Sequence, residues 1–172
     1  MSASSSSVSV AAVAEAFIAL GGNIADVRST FQRAIMMLCD GVQVRLAARS
    51  SDYRTPPWGI TIQPAFVNAV IAVATTLSPQ VLLARAQDCE RALGRNRAQE
   101  TRWGPRTIDL DLLTYDGLVL DEPGLTLPQP HLFERAFVLV PLVEIAPDLV
   151  IGGVGVRAAL AQLDASAIEK LP

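Results

Sequence analysis

Ala65-Phe66-Val67-Asn68-Ala69-Val70-Ile71-Ala72-Val73-Ala74-Thr75 is rich in valine and isoleucine and predicts a central β-strand. Ser78 and Pro79 follow almost at once. A hydroxyl cap with proline at the first helical position marks a helix start. That helix is expected to run to about Leu93 and to stop at Gly94. A similar sequence of elements comes before it. Phe17-Ile18-Ala19-Leu20 meets Gly21-Gly22-Asn23, a buried strand ending in a turn. Asp26 can cap a helix to about Leu38 that carries Phe31, Ile35 and Leu38 on one face. Val42, Val44, Leu46 and Ala48 then alternate with Gln43, Arg45 and Ala47, as in a half-buried strand. Arg54 to Pro64, with three prolines and a glycine, is expected to be loop.

Downstream, a polar loop from Arg95 to Arg106 leads into a strand at Thr107 to Tyr115. Two short segments and a helical turn lead on to Pro141, and a terminal helix is expected near Arg157 to Leu163. Strand, helix, strand, strand, helix, strand suits a ferredoxin-like α+β sandwich, a mostly antiparallel sheet with helices packed on it. Residues 1–14 read as a disordered Ser/Ala-rich tail and residues 15–172 as one domain.

Composition narrows the chemistry. In 172 residues, 51% are hydrophobic and 18% charged, a balance that supports a sizeable core and argues against intrinsic disorder. The net charge of −3 offers no global positive field for nucleic acid or a membrane surface. Lys170 is the one lysine and lies near the C-terminus, which argues against phosphate-loop and Schiff-base chemistry. His131 is the one histidine, and with Cys39 and Cys89 the chain is short of ligands for a zinc centre. Two cysteines far apart and no secretory signal argue against a disulfide framework and for a cytoplasmic location. No run approaches the ~18 apolar residues of a membrane span.

Asp109-Leu110-Asp111 is the sharpest feature. Residues two apart on a strand share a face, so both carboxylates project together with Cα atoms ~7 Å apart. Like charges so close need a cation to offset them. Paired hard oxygens suit magnesium, which keeps waters and shares its other positions with phosphates. A solvated strand face opposite arginines is the plainer alternative. The neighbourhood favours the site. Arg95, Arg97, Arg102 and Arg106 crowd the preceding loop, and guanidinium forks match phosphate oxygens bidentately. A basic loop paired with Asp88, Glu90 and Glu100 is the competing account. Trp103 can stack on a flat ring or anchor that loop to the core.

Arg102 to Leu113 (RWGPRTIDLDLL) resembles the signature of the 6-hydroxymethyl-7,8-dihydropterin pyrophosphokinase family of folate biosynthesis. Phe17 to Asn23 (FIALGGN), Tyr53 to Gly59 (YRTPPWG), Gln63 to Asn68 (QPAFVN) and Arg135 to Leu142 (RAFVLVPL) match in order. The resemblance implies transfer of pyrophosphate from magnesium ATP to the pterin hydroxymethyl group, leaving AMP. It implies that Asp109 and Asp111 hold two Mg2+ ions, and that Arg95 and Arg106 stabilise charge on the transferring group. It implies ATP contacts from Gln87, Glu90, Arg97, Trp103, Arg106, Leu112, Thr126, Gln129 and Arg135. For the pterin it implies stacking by Phe66 and Phe137, edge recognition by Asn68 and Thr55 with Pro57 and Trp58 nearby, and closure by Trp103. Two departures stand out. Gln129 replaces the histidine of the family's L-P-H-P, and His131 two positions on has no assigned role. Gly22 stands where serine is usual, a change expected to adjust only a turn.

The partners expected are thus two small molecules, ATP and the pterin, with no nucleic acid and no membrane, bound by a monomer. Loops 54–64 and 95–104 are expected to close over them and exclude water. Two alternatives remain at this stage. One is a non-catalytic domain binding nucleotide or RNA through aromatics on its sheet. The other is a relative that binds both substrates yet turns over poorly because of Gln129.

Overall fold

The computed structural model describes residues 11–172, so the first ten residues of the expected tail lie outside it. In chain order the elements are β1 (Ala14–Gly22), α1 (Val27–Leu38), β2 (Val44–Arg49), β3 (Tyr53–Thr55), β4 (Phe66–Thr75) and α2 (Pro79–Ala92). There follow β5 (Asp109–Tyr115), β6 (Leu120–Glu122), β7 (Leu125–Leu127), α3 (Ala136–Ile145), β8 (Val150–Ile151), β9 (Val154–Gly155), α4 (Val156–Ala161) and β10 (Glu169–Lys170). The main sheet runs β10-β3-β4-β1-β5, with β2 also pairing to β4, and every pairing in it is antiparallel.

β4 is central because it is buried on both sides. Ala69, Ile71 and Val73 face a core with Phe31, Ala34 and Leu38 of α1 and Leu82, Ala86 and Cys89 of α2. Val70 and Ala72 face the opposite core, with Val138, Leu139 and Leu142 of α3 and Val156 of α4. A strand covered twice cannot alternate polar with apolar, which explains its unbroken apolar run. Helix starts follow their caps: Asp26 accepts from the Ser29 amide at 3.2 Å, and Ser78 Oγ from the Val81 amide at 3.2 Å. Phe31 is fully buried between α1 and the sheet. Phe31→Ala is therefore expected to cost about 3–5 kcal/mol, read as a lower urea midpoint at unchanged slope.

Four local expectations need correction. Arg54 and Thr55 are strand rather than loop, part of β3, which is held between β4 and β10. Only Val44 of the expected half-buried strand is fully buried; Val42 lies before β2, and Leu46 is exposed on a strand that pairs on one side only, with β4. Pro141 lies inside α3 instead of ending a segment. Its ring removes one backbone donor, yet burial of Val138, Leu139 and Leu142 against β4 keeps the helix together. The terminal helix is shorter than expected and is followed by β10.

That last strand steadies β3. The Arg28 guanidinium donates to the Pro172 carbonyl at 2.8 Å and to Asp52 at 2.9 Å, while Leu171 donates to the Asp52 carbonyl. Glu144 of α3 accepts from the Ser51 amide, the Ser51 hydroxyl and the Tyr53 hydroxyl. Thr55, the next inward residue of β3, is thereby held at a fixed height beside β4. No helix among the described residues is long and apolar enough to cross a membrane.

Candidate active site

The β1, β4 and β5 ends that meet at one edge of the sheet bring Gly21, Asn68 and Asp109 into a row, Gly21 pairing with Asn68 on one side and with Asp109 on the other. Asn68 shares its face with Val70, and Asp109 and Asp111 share theirs with Leu113, so all three polar side chains stand on the α3 side. Gly21 lacks a Cβ in the middle of that row. A methyl there would lie 2.9 Å from Asn68 Oδ1, so the bare backbone makes room for the amide.

Above the row opens a cleft of about 490 Å3, solvent mouth included, walled by Thr55, Pro56, Trp58, Phe66, Trp103 and Phe137 along with the polar row, Arg106 and Arg135. Asn68 Nδ2 donates to Thr55 Oγ1 at 2.6 Å, and both residues are buried. Trp58 meets Trp103 edge-on at 5.0 Å and Phe137 at 6.5 Å between ring centroids. The Arg135 guanidinium lies over Trp58 at 4.7 Å. Its Nε is buried without a hydrogen-bond partner, and burial lowers the guanidinium pKa. An anionic or carbonyl acceptor entering the cleft would satisfy it.

The two aspartates differ in state. Asp109 is gripped by Arg95 at 2.8 Å and by Arg106 at 3.3 Å. The Asp111 side chain joins none of the hydrogen bonds or ion pairs of the described residues. Burial chiefly, then the neighbouring Asp109 charge, pushes its carboxyl up to about 7. Arg95 itself is saturated. It is bonded to Glu90, to Asp109, and to Glu100 through two contacts of 2.8 and 2.9 Å. Burial opposes its charge, but the Glu100 hydrogen bonds and the Asp109 and Glu90 charges outweigh this and hold it protonated. The expected alternative of a paired loop is thus half realised: the pairs exist, but around Arg95 they are buried rather than solvated.

Among the sequence-derived candidates, Thr55, Trp58, Phe66, Asn68, Trp103, Arg106, Asp109, Arg135 and Phe137 share this cleft. Pro57 does not; it lines a neighbouring groove with Leu163 and Ile168, and Pro56 takes its place. Leu112 is buried in the α1/α2 core, so it can offer a ligand only its backbone. Glu90 is buried too, its carboxylate taken by Arg95 and Arg97. Gln87 is half-buried on α2, and Thr126 is exposed, with its hydroxyl 3.4 Å from Asp121. Gln129 uses its side-chain oxygen to accept from the His131 amide at 2.8 Å.

Three features escaped the sequence. Asn23, just past β1, accepts from the Arg106 amide at 3.0 Å and donates to Gln63 Oε1 and to the Pro64 carbonyl, each at 3.0 Å. Gln63 in turn donates to the Trp103 carbonyl at 2.8 Å. One amide pair therefore ties loop 56–65 to loop 95–106. The available signal was an amide at a strand end and another in a proline-rich loop, each able to give and accept. Gly22 is more than a turn adjustment, since a Cβ there would sit 2.7 Å from the Thr107 carbonyl that leads into β5. His131 packs against Trp58 at 6.0 Å and pairs with Glu134 at 3.0 Å, on the rim of the cleft.

Residues 17–147 match the family described as 7,8-dihydro-6-hydroxymethylpterin-pyrophosphokinase (HPPK). A 2-amino-4-hydroxy-6-hydroxymethyldihydropteridine pyrophosphokinase from Methylorubrum extorquens is 52% identical over 156 residues, 91% of this chain and 98% of the relative. Its counterpart in Pseudomonas aeruginosa is 41% identical over 157 residues, 91% and 96% of the two chains. Among solved structures, a Plasmodium falciparum HPPK-DHPS variant with pterin and p-hydroxybenzoate superposes with a TM-score of 0.70 at 11% identity. That match covers 92% of this chain and 47% of the other, so the chain spans about half the length of that protein and shares its fold.

Proposed function

The chain belongs to the 7,8-dihydro-6-hydroxymethylpterin-pyrophosphokinase family, and from that premise we propose how its cleft divides the work between two substrates. The reaction is transfer of pyrophosphate from ATP to the hydroxymethyl group of 6-hydroxymethyl-7,8-dihydropterin, in folate biosynthesis. The pterin enters between Phe66 and Phe137, where a flat heteroaromatic finds two aromatic faces. Asn68 and Thr55 read its edge, because a primary amide both donates and accepts. ATP lies toward Arg95, Arg97, Arg106 and Arg135, with Gln87, Thr126 and Gln129 at its periphery and Trp103 over the junction.

Asp109 and Asp111 are the ligands for two Mg2+ ions. The donor set fits: two hard carboxylates on one face, one of them uncommitted. When bound, the ions screen the triphosphate charge. In the chemical step the pterin hydroxyl oxygen bonds to the β-phosphorus while the bond from that phosphorus to the oxygen bridging it to the α-phosphorus breaks; AMP departs with that oxygen, and the hydroxyl proton is released to solvent. Arg95 and Arg106 stabilise the charge that builds on the transferring group. Asp111, whose side chain has no partner among the described residues, orients the attacking hydroxyl. The two loops joined through Asn23 and Gln63 close over both substrates and keep water from the donor.

The observation that carries this assignment is geometric: Asp111, its side chain without a partner among the described residues, shares a strand face with the arginine-held Asp109, which lines the cleft together with Asn68. The test is AMP release with purified protein, Mg2+ and ATP. AMP that appears only with hydroxymethyldihydropterin supports it, and ATP breakdown indifferent to the pterin overturns it. Gln129 can donate to a phosphate but cannot carry charge. Gln129→His is therefore expected to tighten ATP about three- to tenfold, the return of a charge-assisted contact of about 1 kcal/mol, as read by calorimetry.

A further inference from the structure

Arg95 gives its donors almost wholly to carboxylates. Nη1 serves Glu90 and Asp109, while Nε and Nη2 form a two-point fork with Glu100 at 2.8 and 2.9 Å. The guanidinium side chain is only 4% exposed. A phosphate cannot reach it while all three acids stay in place. Two of them cannot leave cheaply: Glu90 is built into α2 and also holds Arg97 and the Leu110 amide, and Asp109 opens β5. Glu100 is different. It lies in loop 95–106, directly after a one-turn 3-10 helix, Arg97–Gln99, which Asn96 caps at 3.1 Å and which folds the chain back onto Arg95.

We propose that Glu100 is an internal stand-in for a phosphate of ATP: its carboxylate occupies the Nε/Nη2 edge of Arg95 until the nucleotide displaces it, and that displacement releases loop 95–106 to close over the substrates. This rests on the assignment of Arg95 to ATP made above. Carboxylate and phosphate present the same pair of oxygens to a guanidinium, so one can replace the other without moving Arg95. Three arginines, Arg95, Arg97 and Arg106, here face three carboxylates, Glu90, Glu100 and Asp109. Withdrawal of Glu100 leaves a positive excess at the moment a polyanion arrives. The fork also keeps an unliganded arginine loop folded inward. Nucleotide binding must then displace an internal competitor, and measured affinity is weaker than the arginines alone would give.

The test compares the full-length chain with Glu100→Gln and Glu100→Asp, titrating a nonhydrolysable ATP analogue with Mg2+ by calorimetry and following trypsin cleavage at Arg97 and Arg102. Glu100→Gln is expected to tighten the analogue three- to tenfold. Without ligand it is expected to be cut several times faster than the wild type, and with saturating analogue the two are expected to be cut at equal rates. Glu100→Asp, which keeps the charge and loses the two-point fit, is expected to fall between them. A role for Glu100 in folding alone, or as a direct nucleotide contact, would leave the analogue Kd unchanged or weaken it, and either result overturns the proposal. If the wild type fails to bind the analogue at all, the ATP assignment of Arg95 fails and this inference fails with it. Binding by the wild type without tightening in Glu100→Gln condemns the inference alone.

Discussion

Asp111→Asn is expected to lower kcat/KM about a thousandfold or more, about 4 kcal/mol of transition-state stabilisation, while the protein remains folded. The substitution preserves size and removes charge at a carboxylate next to the cleft-lining Asp109 whose side chain has no partner among the described residues. Its thermal stability at pH 8 is expected to rise above that of the wild type. The sign follows from the raised pKa. Folded Asp111 titrates at about 7 because burial, then Asp109, disfavours its charge, whereas an unfolded aspartate titrates near 3.9. The folded state therefore binds this proton more tightly, and stability falls as pH rises between those two values, with the whole penalty present above about 7. Asparagine escapes it. A variant that is more stable in alkali and nearly inactive identifies a carboxylate kept for its ligand. Near-wild-type turnover in Asp111→Asn would remove Asp111 from the metal and substrate machinery. The affinity of magnesium ATP is likewise expected to rise from pH 6 to 8 more steeply in the wild type than in the variant, since the nucleotide's own titration is common to both.

The layers of the fold were legible where periodicity and caps agreed. Asp26 and Ser78 each announced a helix, and the apolar run from Ala65 to Thr75 announced a central strand. Legibility failed where tertiary packing overrode local signals. Pro141 reads as a breaker, yet α3 tolerates it because its apolar face is already buried against β4. Arg54 and Thr55 read as the start of a proline loop, yet a strand some 115 residues later in the chain pairs with β3 and holds it in the sheet. The site shows the same division. That Asp109 and Asp111 share a face, as do Phe66 and Asn68, follows from a strand period of two. The alliances of Arg95 with Glu90, Glu100 and Asp109 do not follow from any period, because they depend on how a loop folds back over α2 and β5. Nor does spacing reveal that Asn23 bridges two loops. Such a bridge consists of hydrogen bonds between segments some 40 and 83 residues apart.

Asn68→Ala is expected to reduce kcat/KM for the pterin by about 10²–10³-fold while leaving the ATP-analogue Kd within twofold, because the amide belongs to the pterin half of the cleft. Two losses combine. The ring edge loses a reader that both gives and accepts, and the hydroxyl of Thr55, a residue only 1% exposed, loses its 2.6 Å partner. Gly21→Ala provides an independent check, since it leaves the amide in the sequence and only displaces it. Its new methyl would lie 2.9 Å from Asn68 Oδ1, so the side chain must turn away from its place in the row. The same selective loss for the pterin is expected, smaller than in Asn68→Ala. Were Asn68→Ala to weaken both substrates equally, the amide would be serving the sheet rather than the ligand. Were Gly21→Ala silent while Asn68→Ala was severe, the position of the amide would matter less than its presence. The combined pattern, one severe and one graded loss confined to the pterin, requires an amide fixed in place by a strand that has given up its own side chain to make the space.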